Sequence, residues 1–291
     1  MTVQGTTPAQ GTTPDQGTAP AQDIAESSDA TETLPHTVHP APPLTLAIDI
    51  GGTGLKASVL DSSGAMVADR VKVPTTYPLP PEKLVKDLYD LTRPLPRYDR
   101  VSAGFPGMVR EGHVITAPHF VTKSGPGSEV DQALAKKWCE FALADALVEV
   151  LGKPTKVAND ADLQGAAVIA GHGFELVITL GTGFGTGCFY DGRMLPHLEF
   201  AHTPFRKGET YNDQLGERAR KEVGDERWAK RVNKAIDLLR ALTFFDRCWV
   251  GGGNARRLDT AKLADDVSIV DNTAGILGGI KLWDGTHHLA L

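Results

Sequence analysis

An apolar run that ends in a glycine-rich turn occurs three times in this chain of 291 residues. The first occurrence, residues 44–56, reads LTLAIDIGGTGLK, the second, residues 180–187, reads LGTGFGTG, and the third, residues 250–254, reads VGGGN. Glycines after a buried strand let backbone N–H groups approach a phosphate without a Cβ in the way. One strand followed by Gly-Gly is also typical of a tight hairpin. The prediction of a phosphate-binding protein therefore depends on the repetition.

The distribution of charge separates a short N-terminal segment from the rest of the chain. Residues 1–43 contain five acidic side chains and no Lys or Arg, so the rest carries a net charge of −1 out of the total of −6. Such a near-neutral body gives no argument for nucleic-acid binding. Residues 5–22 hold three Gly-Thr repeats rich in Pro and Gln. Too few apolar side chains are present to offset the entropy of ordering, so residues 1–43 are predicted to form a disordered tail.

The remaining composition indicates a protein of the cytoplasm. Three cysteines lie far apart in the sequence, which argues against a metal knuckle and favours reduced thiols. No apolar run is long enough to cross a membrane, and the N-terminus lacks the basic start and apolar core of a secretory signal.

Short apolar strands alternate with helical segments in two successive series. In the first, strands are predicted at 44–50, 56–61, 66–74, 101–105 and 155–158, and helices at 82–91 and 130–151. In the second, strands are predicted at 175–180, 185–190, 248–250 and 267–270, and helices from 159, at 227–246 and at 272–282. An apolar stripe on the helix at 227–246 comprises Trp228, Val232, Ile236, Leu239 and Leu242.

This repetition predicts two α/β lobes with a cleft between them. The predicted domains are the tail at 1–43, an N-terminal lobe at 44–158 and a C-terminal lobe at 159–291, with the last helix able to pack back on the first lobe.

Six short motifs, taken in order, resemble those of the ROK family (repressor, open reading frame, kinase), and within it the polyphosphate glucokinase branch. They are DIGGTGLK at 49–56, FPG at 105–107, NDAD at 159–162, LGTGFGTG at 180–187, EFAH at 199–202 and VGGG at 250–253. The resemblance implies an α/β fold of two ribonuclease-H-like lobes of the actin/hexokinase type around a cleft.

The resemblance also implies the residues that handle the sugar. Asp160 is the expected catalytic base, because transfer to a sugar hydroxyl needs a carboxylate near that hydroxyl to accept its proton. Asn159, Glu199, His202 and Gly107 are expected to bind the substrate. An Asn-Asp pair is also a common helix cap, and Asp162 is interpreted as an acid in the first turn of that helix.

The glycine loops are expected to hold the phosphoryl donor. The resemblance assigns to this role Asp49, Gly51, Gly52, Thr53, Lys56, Gly181, Thr182, Gly183, Gly251, Gly252 and Gly253. Asp49 would hold Mg²⁺, directly or through water. Lys56 either contacts a phosphate or ends the turn at the surface, and both alternatives stay open.

Three departures from the family pattern are visible. Ala201 replaces the usual Gly of the Glu-x-Gly-His element. No Cys occurs at 203–216, so no structural zinc is expected. His119 stands after Ala117-Pro118, where the family often has Asn, so the resemblance bears more on the reaction than on the identity of the sugar.

The predicted function is transfer of a phosphoryl group from polyphosphate and/or ATP to the 6-hydroxyl of glucose or a related hexose. The resemblance implies a cytoplasmic homodimer with Mg²⁺, and without DNA or membrane partners. The alternatives are an ATP-dependent ROK kinase for mannose, fructose or an N-acetyl hexosamine, or a non-catalytic sugar-responsive regulator. A repressor needs a helix-turn-helix ahead of the kinase fold, which the acidic, Pro-rich residues 1–43 do not suggest.

The donor prediction has a second basis in the charge of residues 206–240, where ten basic side chains outnumber seven acidic ones. Arg227, Lys230, Arg231 and Lys234 fall on one side of the predicted helix. A long polyanion would need such a strip, although basic residues opposite an apolar stripe are also typical of a solvated helix face.

Overall fold

The structure is a computed structural model that describes residues 42–270 and 274–283. The predicted tail lies outside these residues apart from its last two positions, as do the first two residues of the predicted last helix. Among the helices of the described ranges, none has both the length and the apolar character that a membrane crossing demands.

The N-terminal half alternates strands and helices. Its elements are β1 (Thr45–Ile50), β2 (Gly54–Leu60), β3 (Val71–Pro74), α1 (Pro81–Thr92), β4 (Arg100–Phe105), β5 (Val109–Arg110), β6 (His113–Val114), α2 (Gln132–Trp138), β7 (Phe141–Ala142), α3 (Leu143–Leu151) and β8 (Thr155–Asn159).

The C-terminal half begins at a short helix that follows β8 directly. Its elements are α4 (Asp160–Ala166), β9 (Phe174–Leu180), β10 (Phe184–Tyr190), β11 (Arg193–Met194), β12 (Pro204–Arg206), β13 (Glu209–Thr210), α5 (Tyr211–Leu215), α6 (Glu217–Val223), α7 (Asp225–Thr243), β14 (Arg247–Gly251), β15 (Val267–Ile269) and α8 (Ala274–Lys281).

Each half contains a five-stranded sheet, and the two sheets have the same strand order. The order is β3-β2-β1-β4-β8 in the first sheet and β11-β10-β9-β14-β15 in the second. In both, the first three strands pair antiparallel and the remaining pairings are parallel. This repeated mixed sheet confirms the predicted α/β fold of two ribonuclease-H-like lobes.

The prediction of one long helix at 130–151 is wrong, because the chain breaks it into α2 and α3. Asp131 caps α2, and Glu140 adopts a left-handed backbone with φ 57°. The next two residues form β7, which pairs with β6 through Val114 and Phe141. The ring of Phe141 also packs against the buried ring of Trp138, with 5.9 Å between the ring centroids. Strand pairing and aromatic packing therefore override the helical pattern. The predicted end of the helix at residue 151 is confirmed, because Gly152 follows it in the left-handed C-cap conformation.

Two further predictions need correction. The strand predicted at 66–74 is formed only from Val71, because a turn that begins at Asp61 leaves Met66 in a single bridge to Leu60. On α7, Leu242 does not belong to the apolar stripe, since it is 64% exposed.

Two helices, α4 and α8, lie against the sheets and link the halves. α4 contacts strands of both sheets, and α8 contacts α4, β1 and β4. The helices cross so closely that a Cβ at Gly278 would overlap the carbonyl oxygen of Leu163. Ser102 of β4 donates to the carbonyl of Gly279 at 2.5 Å. Through α8, the close crossing and this hydrogen bond together hold α4, which begins within the NDAD motif, against the N-terminal sheet.

The buried stripe of α7 generates a stability prediction. Trp228 is fully buried and its indole N–H donates to the carbonyl of Leu215 at 2.8 Å. Trp228→Ala should lower the free energy of unfolding by about 3–5 kcal/mol, because it leaves a cavity and an unpaired carbonyl. Leu242→Ala, the matched control, should change it by less than about 0.5 kcal/mol because Leu242 is exposed. Urea denaturation of both variants measures the difference, and equal losses would contradict the assigned stripe.

Candidate active site

The NDAD motif lies where β8 ends and α4 begins. Asn159 is buried, its side-chain oxygen accepts from the N–H of Ala161 at 2.8 Å, and its amide nitrogen donates to the carbonyl of Gly107 at 3.0 Å. The helix-cap interpretation of Asn159 is therefore correct. The second amide hydrogen has no acceptor among the described residues, so the predicted contact with a sugar stays compatible with the cap.

Asp160, the next residue, has an unusual charge environment. Burial raises the pKa of its carboxyl to about 7, and the negative charge of Asp49 acts in the same direction. The negative charge of Asp162 adds to the rise, whereas the N–H of Ala161 and the charge of His197 oppose it. A carboxyl group with a pKa near neutrality can both accept and release a proton at physiological pH. This is the property expected of a general base.

Asp49 lies near the end of β1, close enough for its charge to act on Asp160. Lys56 of the adjacent strand donates to its Oδ2 at 2.9 Å, and both side chains are more than two-fifths exposed. If Lys56 only ends the turn at the surface, its ammonium group there has a specific partner, the carboxylate of Asp49. Mg²⁺ keeps several waters and needs only one or two protein carboxylates when donor phosphates complete its shell. An accessible carboxylate beside the first glycine loop fits such a metal.

Hydrogen bonds from two side chains after β3 hold the first glycine loop in shape. The carbonyl of Gly51 accepts from the hydroxyl of Thr75, and that of Gly52 accepts from Tyr77, both at 2.6 Å. The amide of Gly51 bonds to the carbonyl of Gly54 at 3.0 Å, which makes the loop a tight turn. Thr53 is exposed at its tip. The hairpin interpretation is therefore correct for the backbone, and a phosphate contact at this loop stays a prediction.

The second and third glycine loops contact one another. Asn254 donates from its backbone N–H to the carbonyl of Leu180 at 2.9 Å and from its side chain to that of Gly181 at 3.0 Å. Gly252 has φ 89°, and a Cβ there would overlap the backbone of Leu180. The structure thus brings Gly181, Thr182 and Gly183 together with Gly251, Gly252 and Gly253, which the sequence shows 70 residues apart.

The EFAH motif forms a short 3₁₀ turn after β11. Glu199 is partly exposed, and His202 is exposed at the end of the turn. Burial raises the pKa of Glu199, but the interaction with His197, and more weakly with His202, outweighs burial and holds that pKa below its ordinary value. Glu199 is therefore an ionised acceptor. The buried Ala201 occupies the position of the usual Gly without preventing this turn.

Sequence reasoning missed His197. This side chain is buried, with Nδ1 2.9 Å from Oδ2 of Asp162 and Nε2 3.7 Å from Oε2 of Glu199. Burial would lower the pKa of His197, yet the hydrogen bond to Asp162 and the negative charges of Asp162 and Glu199 raise it to about 10, so the ring is an imidazolium. Asp162 lies in the first turn of α4 as predicted, but it is also buried, and its contact with His197 was not expected. A lone His outside every motif gave no signal in the sequence.

A basic groove runs along α7. It has a volume of about 430 Å³ and is lined by Phe205, Arg206, Arg227, Lys230, Arg231 and Lys234. None of the described residues that line it carries a carboxylate. The groove borders α5, where Arg231 reaches the carbonyl of Gln214 at 3.5 Å, and Asn212 of the same helix accepts from the amide of Phe184 at 3.1 Å. The predicted basic face is therefore a concave surface and not only a convex helix side.

The raised pKa of Asp160 predicts a pH-dependent effect on stability. A carboxyl whose pKa is higher in the folded state contributes stability that is present below the unfolded pKa and is lost as pH rises through about 7. Asp160→Asn removes the ionisable group. Its melting temperature should therefore exceed that of the wild type by more at about pH 8 than at about pH 5. Calorimetric scans at both values test this, and a difference independent of pH would contradict the burial of a charged Asp160.

Comparisons with known proteins agree with this geometry. A model of the ROK family matches residues 45–199. The polyphosphate glucokinase of Mycobacterium tuberculosis (strain CDC 1551 / Oshkosh) is 28% identical over 261 residues, which are 82% of this chain and 92% of the relative. The N-acetylmannosamine kinase of Citrobacter koseri is 33% identical over 159 residues, covering 52% of this chain and 49% of the relative.

The fold of this chain is also similar to that of a protein whose structure has been solved. The inorganic polyphosphate/ATP-glucomannokinase from Arthrobacter sp. strain KM superposes with a TM-score of 0.68 at 27% identity, covering 82% of this chain and 97% of that one. The family model alone covers more than half of the chain, from β1 to the sugar motif. The repeated sheet, the cleft residues and these similarities together show that the chain belongs to the ROK family.

Proposed function

We propose that this protein is a hexose kinase that transfers a phosphoryl group from polyphosphate and/or ATP to the 6-hydroxyl of glucose or a related hexose. The observation that carries the proposal is Asp160, a carboxyl at the start of α4 whose pKa burial raises to about 7. Membership of the ROK family and the similarity to polyphosphate glucokinases support it.

Asp160 would accept the proton of the attacking hydroxyl. A base is most effective when its pKa is close to the operating pH, because it is then partly ionised and still basic. Asp49, whose charge reaches Asp160, would hold Mg²⁺ beside the first glycine loop, directly or through water. The metal would neutralise charge on the donor phosphates. Lys56, already bound to Asp49, would stay within reach of the same phosphates.

The sugar would be held by groups from both halves of the chain. Ionised Glu199 suits two hydroxyl donors, the free amide hydrogen of Asn159 suits a hydroxyl acceptor, and His202 can serve either role. Gly107, whose carbonyl accepts a hydrogen bond from Asn159, would form the floor of the sugar site. These contacts lie at the carboxyl end of β8 and in the turn after β11, so sugar binding would draw the two lobes together.

The donor would lie on the glycine loops, and the basic groove supports an extended donor. Lys230 is paired with Glu226 at 2.8 Å. Arg206, Arg227 and Lys234, in contrast, have no carboxylate within ion-pair distance among the described residues. Unpaired cations around a concave surface favour a polyanion. Because α5 contacts both the groove and the second glycine loop, one polyanion chain would be able to occupy both places. ATP is too short to need such a groove.

Steady-state assays of the wild-type protein with Mg²⁺ test the reaction. Glucose, mannose and N-acetylmannosamine are compared as acceptors, each with ATP and with polyphosphate as donor. Phosphorylation of glucose with polyphosphate is the expected result. Activity on N-acetylmannosamine alone would favour the second set of relatives, and turnover of no sugar with either donor would refute the proposal.

The role of Asp160 predicts a specific loss. Asp160→Asn should lower kcat by about 10²–10⁴-fold, because an amide cannot accept the proton. The dissociation constant for hexose should change little, because Glu199, His202 and Asn159 supply the binding contacts. Asp90→Asn, which removes a surface carboxylate paired with Lys86 on α1, is the control and should keep wild-type kcat. An Asp160→Asn variant that retains more than half of the wild-type kcat would exclude the assignment.

The basic groove predicts a donor-specific effect of charge. The double variant Arg227→Glu/Lys234→Glu should lower kcat/KM for polyphosphate by about tenfold or more, which corresponds to about 1.4 kcal/mol of lost attraction. The effect should shrink as salt screens the groove. With ATP, kcat/KM should stay within about twofold of the wild type, because ATP would be held by the glycine loops and would not need the groove.

A matched double variant separates local from global charge. Arg93→Glu/Lys136→Glu changes the net charge equally but lies on exposed positions of the N-terminal half. It should leave kcat/KM unchanged for both donors. Equal losses in the two double variants, or equal losses on polyphosphate and ATP, would show that the groove does not bind the donor chain.

A further inference from the structure

One buried imidazolium connects the helix that carries Asp160 with the loop that carries Glu199. His197 contacts Asp162 of α4 through Nδ1 at 2.9 Å and faces Glu199 through Nε2 at 3.7 Å. The side chains of His197 and Asp162 are both 4% exposed, and that of Glu199 is 21% exposed. The three groups therefore form a line of contacts from the buried Asp162 to the partly exposed Glu199, and neither His197 nor Asp162 has a role in the chemistry proposed above.

The polar contacts of this line are incomplete within the described residues. Oδ1 of Asp162 and Nε2 of His197 are buried and have no hydrogen-bond partner there. The distance of 3.7 Å is an ion-pair contact and is too long for a hydrogen bond. A buried ion pair without full hydrogen bonding is a poor source of stability, because desolvation offsets the attraction. Stability alone thus does not account for the arrangement.

The position of Glu199 indicates what this line of contacts does. Glu199 lies in an irregular segment between β11 and the 3₁₀ turn of the EFAH motif, where backbone hydrogen bonds of a sheet or helix do not fix it. His197 precedes it by two residues and is anchored on α4, which the crossing with α8 holds firmly. An anchor on α4 would set the carboxylate of Glu199 at a constant distance from Asp160, two residues before Asp162.

We propose that His197 is a positioning residue for hexose binding, which orients the carboxylate of Glu199 by linking it through Asp162 to the helix of the catalytic base. The inference rests on the proposed role of Glu199 in binding the sugar. His197 itself touches no reacting atom. The raised pKa of His197 supports the proposal, because the link keeps its positive charge throughout the physiological range.

The imidazolium has a carboxylate at each of its two ring nitrogens. Asp162 and Glu199 face the imidazolium, His202 lowers the pKa of Glu199 from the other side, and Asp160 also feels the charge of His197. Loss of His197 would leave Asp162 and Glu199 as like charges with no cation between them. Glu199 would then move toward solvent and lose its fixed orientation, whereas the donor loops would not be affected.

The test is His197→Asn, whose amide can replace Nδ1 toward Asp162 but cannot reach Glu199. Calorimetric titration with glucose in the absence of a donor should give a dissociation constant about tenfold or more above that of the wild type, the factor expected for one charged contact. KM for ATP and for polyphosphate, measured at saturating glucose, should stay within about twofold. This split between sugar and donor is not expected from general loosening of the fold.

Two further variants keep the test decisive. Glu175→Gln weakens another buried carboxylate, which accepts from the amides of Ala170 and Gly171 and from Trp249. It should lower the melting temperature without changing glucose binding. If His197→Asn fails to fold, Asp162→Asn/His197→Asn removes both buried charges and should show the same loss of glucose affinity.

The outcomes separate this inference from the function on which it rests. A wild-type protein that binds glucose, together with a folded His197 variant that binds it equally well, would overturn the positioning role alone. An equal loss of sugar and donor affinity would also overturn it, because the effect would then be general. A wild-type protein that binds no hexose would refute the proposed function, and the inference would fall with it.

Discussion

The close crossing of α4 and α8 is the contact on which the geometry of the site depends. It is possible because Gly278 has no side chain where it meets the carbonyl of Leu163. Ser102 ties α8 to β4, so the pair of helices is fixed to the N-terminal sheet while α4 also contacts β9 and β10. The first turn of α4 is thereby held between the lobes, and the residues of the NDAD motif acquire fixed positions relative to both sheets.

That position collects carboxylates at high density. Asp49, Asp160, Asp162 and Glu199 interact electrostatically, and one imidazolium, His197, lies among them. The environment gives them different protonation behaviour, since burial and like charge raise the pKa of Asp160 whereas His197 keeps Glu199 ionised. Residues of the same chemical type can thus take separate roles as proton acceptor and as hydrogen-bond acceptor. The cost is a local excess of negative charge, which a bound cation or a cationic side chain such as Lys56 would reduce.

The charge of the second lobe is arranged in the opposite sense. The basic groove lies along α7 and α5, and α5 in turn supports the second glycine loop through Asn212. An anionic chain would be repelled by the carboxylates of the cleft and attracted along the groove. Such an arrangement would bring a donor to the glycine loops from the groove side, and the sugar from the side of Glu199. The two proposed substrates would then meet at Asp160 from different directions.

The sequence by itself determined the fold class, most strand positions and the glycine loops, because alternating apolar runs and Gly-rich turns are local signals. It also selected Asp160 and Glu199 as candidate site residues, since both lie in contiguous motifs. Tertiary structure alone decided where the helix at 130–151 breaks, because pairing of β7 with β6 depends on residues distant in sequence. It likewise decided the contact of Asn254 with the second loop and the burial of Asp162 against His197. These features depend on the energies of groups that meet only after folding, and a local pattern carries no information about such meetings.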